Sequence, residues 1–186
     1  MNMIEQQLQA AMAAHQAGNI ALAEQGYREV LSQSPKDADA NNMLGLILMQ
    51  QKQFAKSIMH LRKAIKNAPQ FVGAKFNLGV SLEAAGKIND AIHSYRAAIA
   101  LDPSYVEAQF AIGNCYIKQG RIVDGQKAYS KVLVLQPKHV TALNNLGTSY
   151  FDQKDYLNAI KYLSRVVEFK PDFEMAHTNL GTALLK

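Results

Sequence analysis

All five prolines of this 186-residue chain, Pro35, Pro69, Pro103, Pro137 and Pro171, stand 34 residues apart without a slip. Proline lacks a backbone N–H and pushes the residue before it out of the helical region, so a proline at constant phase marks where a helix ends. A chain punctuated in this way is built from equal units. The period sets them at 4–37, 38–71, 72–105, 106–139 and 140–173, followed by the opening part of a sixth at 174–186.

Other columns fall into line on that frame. The seventh position reads Ala10, Leu44, Leu78, Ile112, Leu146 and Leu180, and the eighth reads Ala11, Gly45, Gly79, Gly113, Gly147 and Gly181. The twentieth holds Ala23, Ser57, Ala91, Gly125 and Ala159, and the twenty-fourth holds Tyr27, Leu61, Tyr95, Tyr129 and Leu163. Within each unit, apolar residues recur twice at helical spacing on either side of a break near the fifteenth position, where Gly18, Gly86 and Gly120 stand. Two helices per unit follow. Glycine just past a helix end takes the left-handed conformation without steric cost, whereas Lys52 and Lys154 occupy that place in two units, so those turns are expected to be strained or differently closed. A glycine inside a helix costs about 1 kcal/mol relative to alanine. Its recurrence at the eighth position implies close approach of the second helix, with the small twentieth residue facing it and the twenty-fourth filling the gap.

The 34-residue period, the Leu-Gly pair, the later small residue, the large twenty-fourth residue and the closing proline resemble the tetratricopeptide repeat, over essentially the whole chain. The fourth position, often aromatic in that family, is Gln7, Asn41, Lys75, Gln109, Leu143 and His177 here, and repeat 1 has alanines in its core columns. The resemblance implies an all-α fold: antiparallel helix pairs stacked into a single array that coils as a right-handed superhelical solenoid. First helices would line a concave groove and second helices the convex back, each unit burying its apolar face on a neighbour.

Composition agrees with a soluble globular chain, with 48% hydrophobic and 19% charged residues. No aliphatic run approaches the roughly 20 residues of a membrane span, and the opening residues read as an amphipathic helix rather than a secretory signal, so a cytoplasmic location is expected. The net charge of +5 is modest. It does not by itself imply nucleic acid, and neither nucleic acid nor membrane is the expected partner.

No phosphate-cradling glycine loop, His-x-x-x-His pair or nucleophile elbow occurs. His15, His60, His93, His139 and His177 sit at different repeat phases, and Cys115 has no thiol partner, so neither metal, cofactor nor catalytic residue is expected. The chain reads as a non-enzyme that binds proteins or peptides, or as the non-catalytic part of a larger enzyme.

Positions 2, 5, 9 and 12 of the first helix share one face, with 6 and 13 beside them, and the resemblance places that face in the groove. The sixth column contains Asn77, Asn145 and Asn179, and neighbouring columns add Asn42, Asn114 and Asn144. An amide side chain both donates and accepts, so a ladder of amides can hold an extended peptide backbone with little regard to its side chains. This ladder is similar to the asparagine ladder in the repeat domain of O-GlcNAc transferases, although Met43 and Ala111 interrupt the sixth column. Phe76 and Phe110 at position 5 either contact a ligand or seal adjacent repeats. Glu83 and Asp152 are acids within reach of the groove. Positions 2, 5 and 6 carry no Lys or Arg in any unit, so the basic clamp with which relatives hold acidic chaperone tails is not expected here.

Positions 22 and 26 of the second helix gather Lys63, Lys127, Lys131, Lys161 and Arg165 into a basic stripe on the expected convex back. A solvated face that keeps the array soluble accounts for it; the sharper alternative is docking to an anionic surface. The sixth unit repeats the internal Asn-Leu-Gly motif at Asn179, Leu180 and Gly181 instead of a polar cap. That leads to the expectation of a fragment whose natural chain continues, into more repeats or a transferase domain such as a glycosyltransferase. The other expectation is a C-terminal edge that pairs with a second copy as a homodimer or self-assembling scaffold.

Overall fold

The computed structural model describes residues 2–186. Among them the chain forms eleven α-helices and no strand: α1 (Met3–Gln16), α2 (Ile20–Gln33), α3 (Ala38–Gln50), α4 (Phe54–Asn67), α5 (Val72–Ala84), α6 (Ile88–Leu101), α7 (Val106–Lys118), α8 (Ile122–Leu135), α9 (Val140–Asp152), α10 (Tyr156–Phe169) and α11 (Glu174–Leu184). They fall into two compact units, one running to Pro103 with α1–α6 and one from Ser104 with α7–α11. Within each unit, helices joined by three-residue turns pack as hairpins, and each hairpin packs on the next.

All five hairpin turns close in the same way. The residue at the fifteenth position has positive φ in each, at 78°, 76° and 72° for Gly18, Gly86 and Gly120 and at 59° and 60° for Lys52 and Lys154. The next N–H then reaches back five residues, as in Asn19 to the Ala14 carbonyl at 2.9 Å, Gln53 to Leu48 at 2.8 Å and Asp155 to Tyr150 at 3.0 Å. The two lysine turns are therefore not differently closed. They hold a side chain in left-handed backbone, where an L-residue is disfavoured by roughly 1–2 kcal/mol.

The eighth-position glycines sit directly beneath the twenty-fourth residue. A Cβ on Gly45 would stand 2.8 Å from Leu61, one on Gly113 2.6 Å from the Tyr129 ring and one on Gly147 2.8 Å from Leu163, while the ring of Tyr95 lies closer still to Gly79. Tyr27, Leu61, Tyr95, Tyr129 and Leu163 are all fully or almost fully buried by this approach, each worth roughly 1.5–3 kcal/mol. The twentieth residue meets the glycine's carbonyl: Ser57 Oγ donates to Gly45 O at 2.7 Å, and a Cβ on Gly125 would lie 3.3 Å from Gly113 O. Repeat 1 inverts the arrangement. Its eighth residue is Ala11, and the facing position on α2 is Gly26, where a Cβ would come within 2.7 Å of the Ala11 Cβ.

Polar side chains fasten consecutive hairpins. The fourth-position Asn41 donates to the carbonyls of Pro35 at 3.1 Å and Asp37 at 2.7 Å, and the fourth-position His177 bonds the carbonyl of Pro171 at 2.7 Å. Arg165 reaches Pro137 O at 2.7 Å in the same manner. Ser57 also bonds Ser81 at 2.8 Å, and Gln126 donates to Ser149 at 3.1 Å and to Gln153 at 3.0 Å.

Candidate functional site

In the second unit, α9 carries Asn144, Thr148 and Asp152 at intervals of four, hence along one line of its surface, with Asn145 and Ser149 beside them. α7 brings Asn114, Ile117 and Lys118 opposite, α8 contributes Ile122 and Tyr129 from below, and Met175 leans in from the first turn of α11. Together with Gln153 these side chains line a cavity of about 590 Å³, within the range that ligand-binding clefts occupy. Ile117, Ile122 and Met175 make apolar walls. Lys118 and Asp152 are exposed at the rim. Gly125 makes room for this shape, because a Cβ there would strike Ile117 Cδ1 at 2.6 Å.

The floor is a polar network. The Tyr129 hydroxyl donates to Asn114 Oδ1 at 2.7 Å, and Asn145 Nδ2 lies 3.4 Å from both Asn114 Oδ1 and the Tyr129 oxygen. Burial pushes the Tyr129 phenol above its usual pKa, so it stays a donor. Asn144 is 8% exposed, and its Nδ2 makes only a long contact of 3.5 Å to Asn145 Oδ1. Its own Oδ1 is buried with no partner at all. Asn179, further along the same face, donates to Thr148 Oγ1 at 3.4 Å.

In the first unit, Asn77 donates to Asn42 Oδ1 at 2.9 Å across adjacent first helices, so two ladder amides bind each other. Tyr95 donates to Glu83 at 2.9 Å, and Tyr27 pairs with His15 at 3.4 Å. Every twenty-fourth-position tyrosine thus passes through its hairpin to a polar residue on the first-helix face.

Phe76 and Phe110 are half-buried, each 5.6 Å from the tyrosine of its own repeat, and Phe110 also lies 5.1 Å from the His139 ring; Phe110 is not among the residues lining the cavity. Of the basic stripe, Lys63 on α4, Lys127 and Lys131 on α8 and Lys161 on α10 are exposed. Lys161 lies 5.3 Å over Tyr162, and Arg165 is committed to Pro137 O and to the Phe169 ring at 5.9 Å. Among the described residues no helix is long and apolar enough to cross a membrane, and no group of three or more His, Cys, Asp or Glu is placed to hold a metal. Tyr129, Lys118, Thr148, Ser149, Ile122, Gln153 and Met175 line the cavity without having been singled out as binding residues from the sequence. Thr148, Met175 and Lys118 occupy columns 9, 2 and 13 of the expected groove face, Tyr129 stands in the packing column, and Ser149, Gln153 and Ile122 stand in columns 10, 14 and 17, which carried no expected role.

Repeated helix hairpins with a polar-floored cleft on the first-helix face define an all-α repeat protein of the α-α superhelix class. Family models described as tetratricopeptide repeats match residues 8–70, 107–139 and 140–173, and one described as TPR repeat matches 81–120. The chain belongs to the tetratricopeptide-repeat family. Among solved structures it is similar to MamA (22% identity over 92% of this chain and 96% of that one, TM-score 0.81). It is similar also to YrrB, described as a TPR protein with an unusual peptide-binding site (19% identity, 92% and 89%, TM-score 0.78). A third is PilF of Pseudomonas aeruginosa (15% identity, 98% and 89%, TM-score 0.80). At these identities the likeness is one of fold. No curated protein matches the sequence.

Proposed function

We propose that this chain is a protein-interaction module that holds extended peptide segments on its first-helix face, with the cleft of α7, α9 and α11 as its main binding site. The observation that carries this reading is the cavity of about 590 Å³ floored by Asn114, Asn144 and Asn145. Amides supply both donors and acceptors to a peptide backbone, and apolar walls supply burial area. The peptide-binding description of YrrB points the same way. Within the same unit Asn179 continues the amide track through Thr148, and in the first unit Asn42 and Asn77 form a pair that a bound backbone exchanges for its own hydrogen bonds. Acidic chaperone tails are not the ligand, because positions 2, 5 and 6 hold no cation.

The test is capture of peptides from a random decapeptide pool by the wild type and by Asn114→Ala with Asn145→Ala. Loss of capture with helicity retained supports the reading. Undiminished capture would move the binding surface off this face.

A further inference from the structure

Among the described residues, Asn144 Oδ1 is the one buried side-chain oxygen or nitrogen without a hydrogen-bond partner. Leaving such an acceptor unmade costs roughly 1–3 kcal/mol. The polar groups around it are already matched to each other: Tyr129 to Asn114, Asn145 to both, Ser149 to Gln126. Turning the Asn144 amide over does not help, since its oxygen would then face Asn145 Oδ1. The buried acceptor still to be matched at this cavity is Asn144 Oδ1, and what it wants is a donor.

That requirement sorts the candidate ligands. An ammonium or guanidinium brings several donors and a charge, yet the one carboxylate lining the cavity, Asp152, is at the exposed rim and shares it with Lys118. A small hydroxyl satisfies Oδ1 but brings no apolar body to lie against Ile117, Ile122 and Met175. A backbone N–H does not fill the space between Ile117, Ile122 and Met175. An indole has one N–H, no acceptor and a large apolar body.

We propose that this cleft is a tryptophan-anchoring pocket, in which the indole N–H of a partner's tryptophan donates to Asn144 Oδ1 while its rings lie against Ile117, Ile122 and Met175. Oδ1 is recessed below the cavity surface, so entry requires a lining side chain to move. Met175, unbranched, apolar and 59% exposed, is free to do so. This inference rests on the peptide-binding reading above and adds the residue that sets specificity.

The chain contains no tryptophan, so with excitation at 295 nm all indole emission comes from the probe. Decapeptide pools with one central position fixed as tryptophan or 1-methyltryptophan, and no indole elsewhere, are titrated by that emission alongside Nα-acetyl-tryptophan amide, and pools with phenylalanine or lysine at that position are titrated as competitors of the bound tryptophan pool. Expected are a blue shift on binding and an affinity for the tryptophan pool about tenfold above the 1-methyltryptophan pool, the worth of one buried hydrogen bond. Asn144→Leu removes that difference. Met175→Glu, a change at an exposed position, weakens the tryptophan pool by a similar factor with helicity intact. Equal binding of all four pools overturns the tryptophan pocket and leaves the peptide-binding reading standing; binding of none overturns both. Unchanged tryptophan affinity in both variants places the indole elsewhere and also overturns the proposal.

Discussion

The Tyr129 hydroxyl, carried on a second helix and buried, hydrogen-bonds Asn114 Oδ1 on the first-helix face at 2.7 Å. One side chain thereby fills the space over Gly113 and also orients an amide of the proposed binding floor. Tyr129→Phe keeps the packing and removes the donor to Asn114 and the acceptor of Asn145. The expected result is a stability loss of about 1–2 kcal/mol in chemical denaturation together with several-fold weaker peptide capture. A loss of stability with capture unaltered would mean that the amides hold their orientation without the phenol.

Asn144→Leu is expected to act in opposite directions on stability and binding. It replaces an unsatisfied buried acceptor by an apolar side chain of similar size, which stabilises by about 1 kcal/mol, while binding at the cleft falls. Thermal melting and titration on the same sample read both effects. A destabilised variant would show that Oδ1 has a partner in solution.

In repeat 1 the small residue has moved from α1 to α2. Gly26→Ala should destabilise by about 1 kcal/mol or more, because the new Cβ meets Ala11 Cβ and lies 3.4 Å from its Cα, and that overpacking outweighs the helix-propensity gain. Adding Ala11→Gly restores the pattern of the later repeats and should recover most of the loss. Urea denaturation of the two variants checks it, and no recovery in the double variant would contradict the pairing.

Lys154 sits at φ 60° in a turn whose hydrogen bonding matches the glycine turns. Lys154→Gly relieves left-handed strain of about 1 kcal/mol and loosens the unfolded chain by somewhat less, so a net gain of about 0.5 kcal/mol is expected. A clear loss would reveal a lysine contact that outweighs the strain.

His60 contacts Asn41 Oδ1 at 3.0 Å, and burial, reinforced by the charges of Lys63 and Arg28, lowers its pKa below the usual histidine value. The folded protein thus binds the proton less readily than the unfolded chain. Its contribution is fully present above the unfolded pKa near ~6.5 and is lost as pH falls through the folded value. Melting temperature should therefore drop between pH 7 and pH 5, and the drop should shrink in His60→Gln. An equal drop in the variant would assign the effect to other groups.

The helix pairs were legible because their signals are local. Proline ends a helix wherever it stands, and Gly45, Gly79, Gly113 and Gly147 announce close approach by having no side chain. The site was legible by column. Asn114, Asn144 and Asn145 were picked out by helical spacing, but nothing in the sequence says that Asn77 spends its amide on Asn42 while Asn144 keeps an oxygen unpaired. Those outcomes depend on side-chain torsions and on separations of a few tenths of an ångström between helices of different repeats. The fourth column misled for a related reason. Read as a missing aromatic, Asn41 and His177 are polar because each must reach a proline carbonyl.

Those carbonyls are a shared acceptor at the joints between units. Pro35 is answered by Asn41, Pro171 by His177 and Pro137 by Arg165, a different chemistry at each joint and, for Arg165, a different helix. Units that look interchangeable in their glycine and tyrosine columns thus differ in the donor they bring to an acceptor that every preceding unit supplies. An array rebuilt by shuffling them would carry each donor to a new joint and still present it with a proline carbonyl.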